Sequence, residues 1–162
     1  MKHLLVLRHA KSSWKEAGLA DHDRPLNKRG ARDAPAMGGL VMRENLVPDL
    51  ILSSSAVRAR STALAVFDAC ANRCELRILR ELYLAGPETY LRVLSAQAGE
   101  HDRAMVVGHN PGIEELVEGL TGVAEPMPTG ALALVDARVA RWSDADLDGG
   151  CRLVRSWRPR DL

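Results

Sequence analysis

The sequence has few cysteines, no excess of either charge sign and no long apolar run. Three cysteines, Cys70, Cys74 and Cys151, occur in 162 residues. A sparse, odd set excludes a disulfide framework and fits a reducing compartment. Cys70 and Cys74 stand one helical turn apart, not at CxxC spacing, and read as small core residues. The 22 Lys and Arg residues face 21 Asp and Glu, for a net charge of +1. That balance argues against a broad nucleic-acid or membrane-surface face, while leaving room for a local cationic pocket. The apolar run Leu4-Leu5-Val6-Leu7 is too short for the core of a signal peptide, and nothing approaches a membrane span. There is no internal repeat and no low-complexity tract. A chain of this length buries about 70% of its unfolded surface without staples. One cytoplasmic domain over 1–162 is the expectation.

What is present is an alternation of strands and helices. The run Leu4–Leu7 reads as a strand buried on both faces. A polar loop follows, roughly Ser12 to Pro25, and Asn27 then caps a helix reaching about Asn45. Its apolar positions Ala31, Ala34, Met37 and Val41 recur at helical spacing, with Pro35 and Gly38-Gly39 suggesting a kink or break. Asp49–Ser53 reads as a strand, Ala56–Ala71 as a helix and Cys74–Leu79 as a strand. Pro87–Ala98 reads as a helix with proline at its start, Ala104–Val107 as a buried strand and Gly112–Leu120 as a short helix. Ala131–Val135 and Arg152–Trp157 read as strands that could add an antiparallel edge. The fold class is α/β: a three-layer α/β/α sandwich on a mostly parallel sheet.

Three predicted strand ends carry unusual polar residues. The first ends in Arg8-His9, the second in Ser53-Ser54-Ser55 with Arg58 in the following helical turn, and the fourth in Gly108-His109-Asn110-Pro111-Gly112. In a parallel sheet these ends share one edge, the side on which open α/β sheets bind ligands. Two arginines and two histidines would converge there beside helix N-termini, which also favour anions. Arginine supplies a planar fork of donors for a phosphate, and histidine a nucleophilic ring nitrogen. Taken singly, such residues are more often a surface charge, a structural histidine or turn chemistry; it is the combination at three successive strand ends that points to a site. No two histidines stand at a tight metal-ligand spacing such as HxxxH, and paired arginines would repel a cation, so no metal or other cofactor is expected.

The arrangement resembles the histidine phosphatase superfamily, which includes phosphoglycerate mutase. The matching residues are Arg8-His9, Ser54 through Arg58-Ala59 with Thr62-Ala63, and Gly108-His109. Arg8-His9-Ala10-Lys11-Ser12-Ser13-Trp14, Asp23-Arg24-Pro25-Leu26 with Gly30, Gly108-His109-Asn110-Pro111 and Pro128-Thr129-Gly130-Ala131 resemble the SixA-type phosphohistidine phosphatases. One departure is Ala10, where the superfamily signature usually has glycine. The resemblance implies a phosphoglycerate mutase-like fold without a lid subdomain. It implies that His9 attacks phosphorus and becomes phosphohistidine, which water then cleaves. Its other ring nitrogen should donate to a fixed acceptor, a backbone carbonyl, which sets the tautomer. Arg8 and Arg58 would grip the phosphoryl oxygens, His109 would add a donor, and Arg24 and Asn110 would be further phosphate contacts. For Arg24 the competing reading is a loop arginine paired with Asp21 or Asp23. Glu81 resembles the superfamily's acid-base glutamate; its plain reading is a helix-cap or surface carboxylate. The implied substrate is a phosphorylated protein bearing phosphohistidine. A small phosphorylated metabolite and a non-catalytic phosphate-binding module are the alternatives. No nucleic-acid or membrane partner is expected.

Overall fold

The computed structural model describes residues 1–162. Six strands form one sheet: β1 (His3–Arg8), β2 (Leu50–Ser54), β3 (Glu75–Leu79), β4 (Arg103–Gly108), β5 (Leu132–Asp136) and β6 (Arg152–Trp157). Four helices connect them: α1 (Lys28–Arg43), α2 (Val57–Ala69), α3 (Pro87–Gln97) and α4 (Gly112–Thr121). The strand order is β3-β2-β4-β1-β5-β6. The first four strands run parallel, β5 pairs antiparallel with β1, and β6 pairs antiparallel with β5. The expected antiparallel addition is therefore present.

Alternation along the central strands builds a core on each face of the sheet. Leu4 and Val6 of β1 join Leu50, Leu52, Ala104 and Val106 in a cluster with α3 and α4. Leu5 and Leu7 point the other way, with Ile51, Met105 and Val107, into a cluster with α1 and α2. Each residue step in a strand reverses the side chain, so an unbroken aliphatic run feeds both layers. The result is the three-layer α/β/α sandwich.

Helix α1 differs from its expected kink. It runs unbroken through Pro35, after a start where the Asn27 side chain accepts from the Gly30 N–H at 2.9 Å. Pro35 and Ala31 both face solvent, so the carbonyl that proline cannot serve meets water. Ala31 is accordingly not a core position. Gly38 is not a break but a contact: a Cβ there would lie 2.6 Å from the Ala69 Cβ and 3.0 Å from the Ala65 carbonyl oxygen. Its bare backbone lets α1 and α2 pack closely.

The topology places the ends of β2, β4 and β1 side by side, as the strand order requires. Two close backbone approaches lock the loops that leave them. A Cβ at Gly30 would collide with the Lys11 carbonyl oxygen, so α1 rests directly on the segment after β1. A Cβ at Gly108 would collide with the Tyr90 hydroxyl, so the end of β4 sits against α3. Residue 130 provides the third closure: the Gly130 N–H donates to the His9 carbonyl at 3.0 Å. Its φ of +79° is readily adopted only without a side chain.

Candidate active site

Strand β1 ends with Arg8, and His9 follows with its backbone N–H donating to the Gly108 carbonyl at 3.0 Å. The next residue, Ala10, is fully buried and donates its N–H to Thr62 Oγ1 at 3.0 Å. A methyl group is thus accommodated where the superfamily signature usually has glycine. The His9 ring is 6% exposed as a residue, and its Nδ1 lies 2.7 Å from the Ala10 carbonyl oxygen. A carbonyl only accepts, so Nδ1 carries the proton and Nε2 keeps its lone pair. Burial, with Arg58, Arg8 and Arg24 nearby, pushes the His9 pKa down to about 4 against a weaker opposing effect of the Ala10 bond. His9 is neutral at pH 7.

His109 comes from the end of β4 and sits with its ring centroid 5.2 Å from that of His9. Its Nε2 lies 2.7 Å from Ser54 Oγ at the end of β2, while its Nδ1 is buried without a protein partner. The Ser54 oxygen already accepts from the Ala56 N–H at 3.2 Å. Its own proton needs an acceptor in this buried setting, and His109 Nε2 provides one. That arrangement leaves the His109 proton on Nδ1. Burial first, then His9 and Arg58, lowers the His109 pKa to about 3.

Arg58 in the first turn of α2 is 3% exposed. Two of its N–H groups donate to Asp21, one to the backbone oxygen at 2.6 Å and one to Oδ2 at 2.9 Å. Asp21 also accepts from Arg24 at 2.9 Å and from the Tyr83 hydroxyl at 2.5 Å. Those partners, Tyr83 foremost, hold the Asp21 carboxyl well below the usual carboxylate range. Asp21 is thus a fixed negative charge that orients two arginines. Arg24 further donates to the Ser13 carbonyl and to Ser12 Oγ, and its guanidinium carbon lies 3.2 Å from the centroid of the Trp14 ring. The loop pairing with Asp21 and the approach to the site both apply to this arginine.

Arg8, His9, Arg24, Arg58 and His109 line one hollow of about 200 Å³, together with Lys11, Ser12, Trp14, Leu84, Asn110 and Thr129. Arg8 donates to the Met127 carbonyl at 3.0 Å and its buried Nε has no partner. The hollow is strongly cationic, walled by neutral imidazoles, and sized for a phosphoryl group with a small leaving group. Two arginines and two histidines from three strand ends, Arg8, His9, Arg58 and His109, surround it.

Two expected roles do not fit the residues as the structure places them. Glu81 lies in the 3-10 turn Arg80–Leu82, is exposed, and pairs with Arg92 at 2.9 Å; it does not line the hollow. The helix-cap or surface reading describes it, because the turn after β3 points the neighbouring Leu82 into the core and Glu81 outward. Asn110 lines the hollow, but its amide N–H groups are committed to Glu114 Oε1 and the Met127 carbonyl. Only its carbonyl oxygen remains, an acceptor that would repel a phosphoryl oxygen. Its place is in bracing the 126–130 loop. Sequence reading named Asp21 as an alternative partner of Arg24, and missed its bond to Arg58 and the roles of Ser54 and Tyr83. Ser54 stands inside a stretch matched to the superfamily, yet nothing in its spacing marked His109 as its partner, and nothing in the spacing of Asp21 marked Arg58.

The sequence model of the histidine phosphatase superfamily (branch 1) matches residues 4–84, half of the chain. The chain belongs to the histidine phosphatase superfamily. Its structure superposes with a TM-score of 0.82 on a candidate phosphohistidine phosphatase SixA from Agrobacterium tumefaciens, 33% identical, covering 98% of this chain and 99% of that one. A protein histidine phosphatase SixA solved with tungstate is 20% identical with a TM-score of 0.74, covering 99% of both chains, and shares the fold. An uncharacterized protein of Mycobacterium tuberculosis strain H37Rv is 35% identical over 158 residues, covering 90% of this chain and 94% of its own length. The fold is thus phosphoglycerate mutase-like and SixA-type, and the chain is a phosphatase of this superfamily.

Proposed function

We propose that the protein is a metal-independent phosphohistidine phosphatase that removes phosphate from protein histidine through a phosphoenzyme on His9. The observation that carries this reading is the state of His9: Nδ1 tied to the Ala10 carbonyl, Nε2 unprotonated, and a depressed pKa that keeps the ring neutral. A neutral imidazole beside two arginines is a nucleophile aimed at an anion site.

In this reading Nε2 of His9 attacks phosphorus in line with the substrate's phosphorus–nitrogen bond. The new P–N bond forms as the old one breaks, and the substrate histidine, protonated on its other ring nitrogen, takes that bond's electron pair and leaves as neutral imidazole. Arg8 and the N–H groups of Arg58 not held by Asp21 bind the equatorial oxygens, bearing charge that develops in the transition state. The Nδ1–H of His109 supplies a further donor, and Arg24 supports the same side. Water then attacks the phosphohistidine, inorganic phosphate leaves, and His9 recovers its lone pair. An imidazole leaving group, with a reference pKa of about 6.5, requires less protonation than a sugar alkoxide. The position of Glu81 outside the hollow suits that substrate, since no carboxylic acid stands ready for a poor leaving group.

The test is turnover of a phosphorylated histidine-containing domain in EDTA, with acid-quench trapping of the enzyme. The expected result is phosphate release by the wild type, a label on His9, and loss of both in His9→Ala. Equal rates for wild type and His9→Ala would refute the proposal.

A further inference from the structure

Beside the phosphate hollow lies a second, larger depression of about 770 Å³, and the reaction makes no use of most of it. Arg8 and Thr129 line both spaces, so the two are adjacent. Five arginines line the larger one, Arg8, Arg29, Arg32, Arg158 and Arg160, against two carboxylates, Asp33 and Glu114. In a chain whose net charge is +1 this is a concentration of positive charge. Four carboxylates, Asp33 and Glu114 in its lining and Glu125 and Asp161 beside it, offset the five arginines in part and leave the exposed side of the groove to Arg29, Arg32 and Arg160. Glu114 accepts from the Asn110 amide and the Met127 N–H. Asp33 stands 4.0 Å from Arg29 and 3.7 Å from Arg32, one carboxylate for two guanidinium groups. Arg158 is held by Glu125 at 3.0 Å, and Arg160 faces only Asp161, at 3.8 Å.

We propose that this arginine-lined groove docks the acidic surface of a protein domain whose phosphohistidine enters the neighbouring hollow. The inference rests on the phosphohistidine reading and names the kind of partner that reading requires. Two observations select a protein surface over a small polyanion. The side chains of Arg29, Arg32 and Arg160 are 55%, 74% and 79% exposed, spread out rather than converging on buried donors. Such charges steer and orient a large partner and form no clamp around a small one. The hollow's own rim also carries exposed apolar groups, Trp14 at 73% and Leu84 at 58%. An exposed tryptophan and leucine at the mouth of a polar site are the contacts a protein surface buries. Anionic residues around the substrate histidine would meet the arginines as its imidazole passes Trp14.

The experiment compares two substrates on the full chain: an acidic phosphotransfer domain phosphorylated on histidine, and phosphoramidate. The variant Arg32→Glu/Arg160→Glu replaces the two most exposed arginines of the groove. The expected result is a KM for the protein substrate raised tenfold or more, a weaker salt dependence of its kcat/KM, and phosphoramidate kinetics within twofold of wild type. An unchanged protein KM with intact phosphoramidate turnover overturns the groove and leaves the phosphatase reading standing. Equal losses on both substrates overturn the docking role, since charge reversal would then act on the hollow itself. A selective loss for a nucleoside diphosphate used as a third substrate assigns the groove to a small polyanion and overturns it also. Absence of turnover by the wild type on every substrate removes the phosphatase reading and this inference with it.

Discussion

Ser54 Oγ and His109 Nε2 lie 2.7 Å apart across the ends of β2 and β4. The Ala56 N–H occupies one lone pair of the same serine oxygen. The hydroxyl proton therefore goes to the histidine, and the histidine's proton goes to Nδ1. Ser54→Ala frees that tautomer. The expected effect is a fall in kcat of about tenfold, less than the 100-fold or more typical of deleting a transition-state donor outright. Nitrogen chemical shifts of His109, showing Nδ1 protonated in wild type and a mixture in the variant, separate this role from plain destabilisation.

Stability should fall with acid in a defined window. His9 has its folded pKa at about 4 and His109 at about 3, both below the reference value of about 6.5. The unfolded chain therefore binds more protons, and stability rises with pH through this range. The contribution is fully present above pH 6.5 and is lost as pH drops toward 4 and below. For His9 alone the loss is about 3 kcal/mol, at 1.36 kcal/mol per pKa unit. Urea titrations at pH 7 and pH 4.5 check this. His9→Ala should show a shallower dependence than wild type.

Gly30→Ala should destabilise the chain by about 2–3 kcal/mol, the scale of an overpacked contact with no room to relax. The added Cβ meets backbone, the Lys11 carbonyl, rather than a flexible side chain. Gly18→Ala is the control, since nothing lies within 4 Å of its Cβ position. Thermal melts of the two variants should differ clearly, with Gly18→Ala close to wild type.

Glu81→Gln should leave kcat/KM for a phosphohistidine substrate within twofold of wild type. The carboxylate is paired with Arg92 outside the hollow. A loss of 100-fold would instead mark it as the proton donor.

The sheet and the three polar strand ends were legible because they rest on simple periodicities. An aliphatic run such as Leu4–Leu7 cannot be half-exposed, and polar residues must appear where burial stops. Topology then decides convergence, since β2, β4 and β1 are neighbours. The supporting network was not legible. Asp21 reaches Arg58 across 37 positions of sequence, and Ser54 reaches His109 across 55. Neither pairing follows from any local pattern. Glu81 shows the converse: its place after β3 fits the resemblance, but the rotation of a 3-10 turn, invisible in sequence spacing, turns the carboxylate outward. Pro35 and Gly38 misled for a related reason. Their effect depends on which side of α1 meets solvent and which meets α2.

The closure at Gly130, where the chain returns from α4 to meet the carbonyl of His9, has a consequence for how the molecule gains its chemistry. The first 84 residues contain the nucleophile and both of its guanidinium neighbours from β1 and α2, yet not His109 or the 126–130 wall. A nascent or truncated chain would carry the reactive ring before owning the enclosure that tames it. Catalytic competence should thus emerge last during assembly, making recovered turnover a stringent gauge of complete refolding.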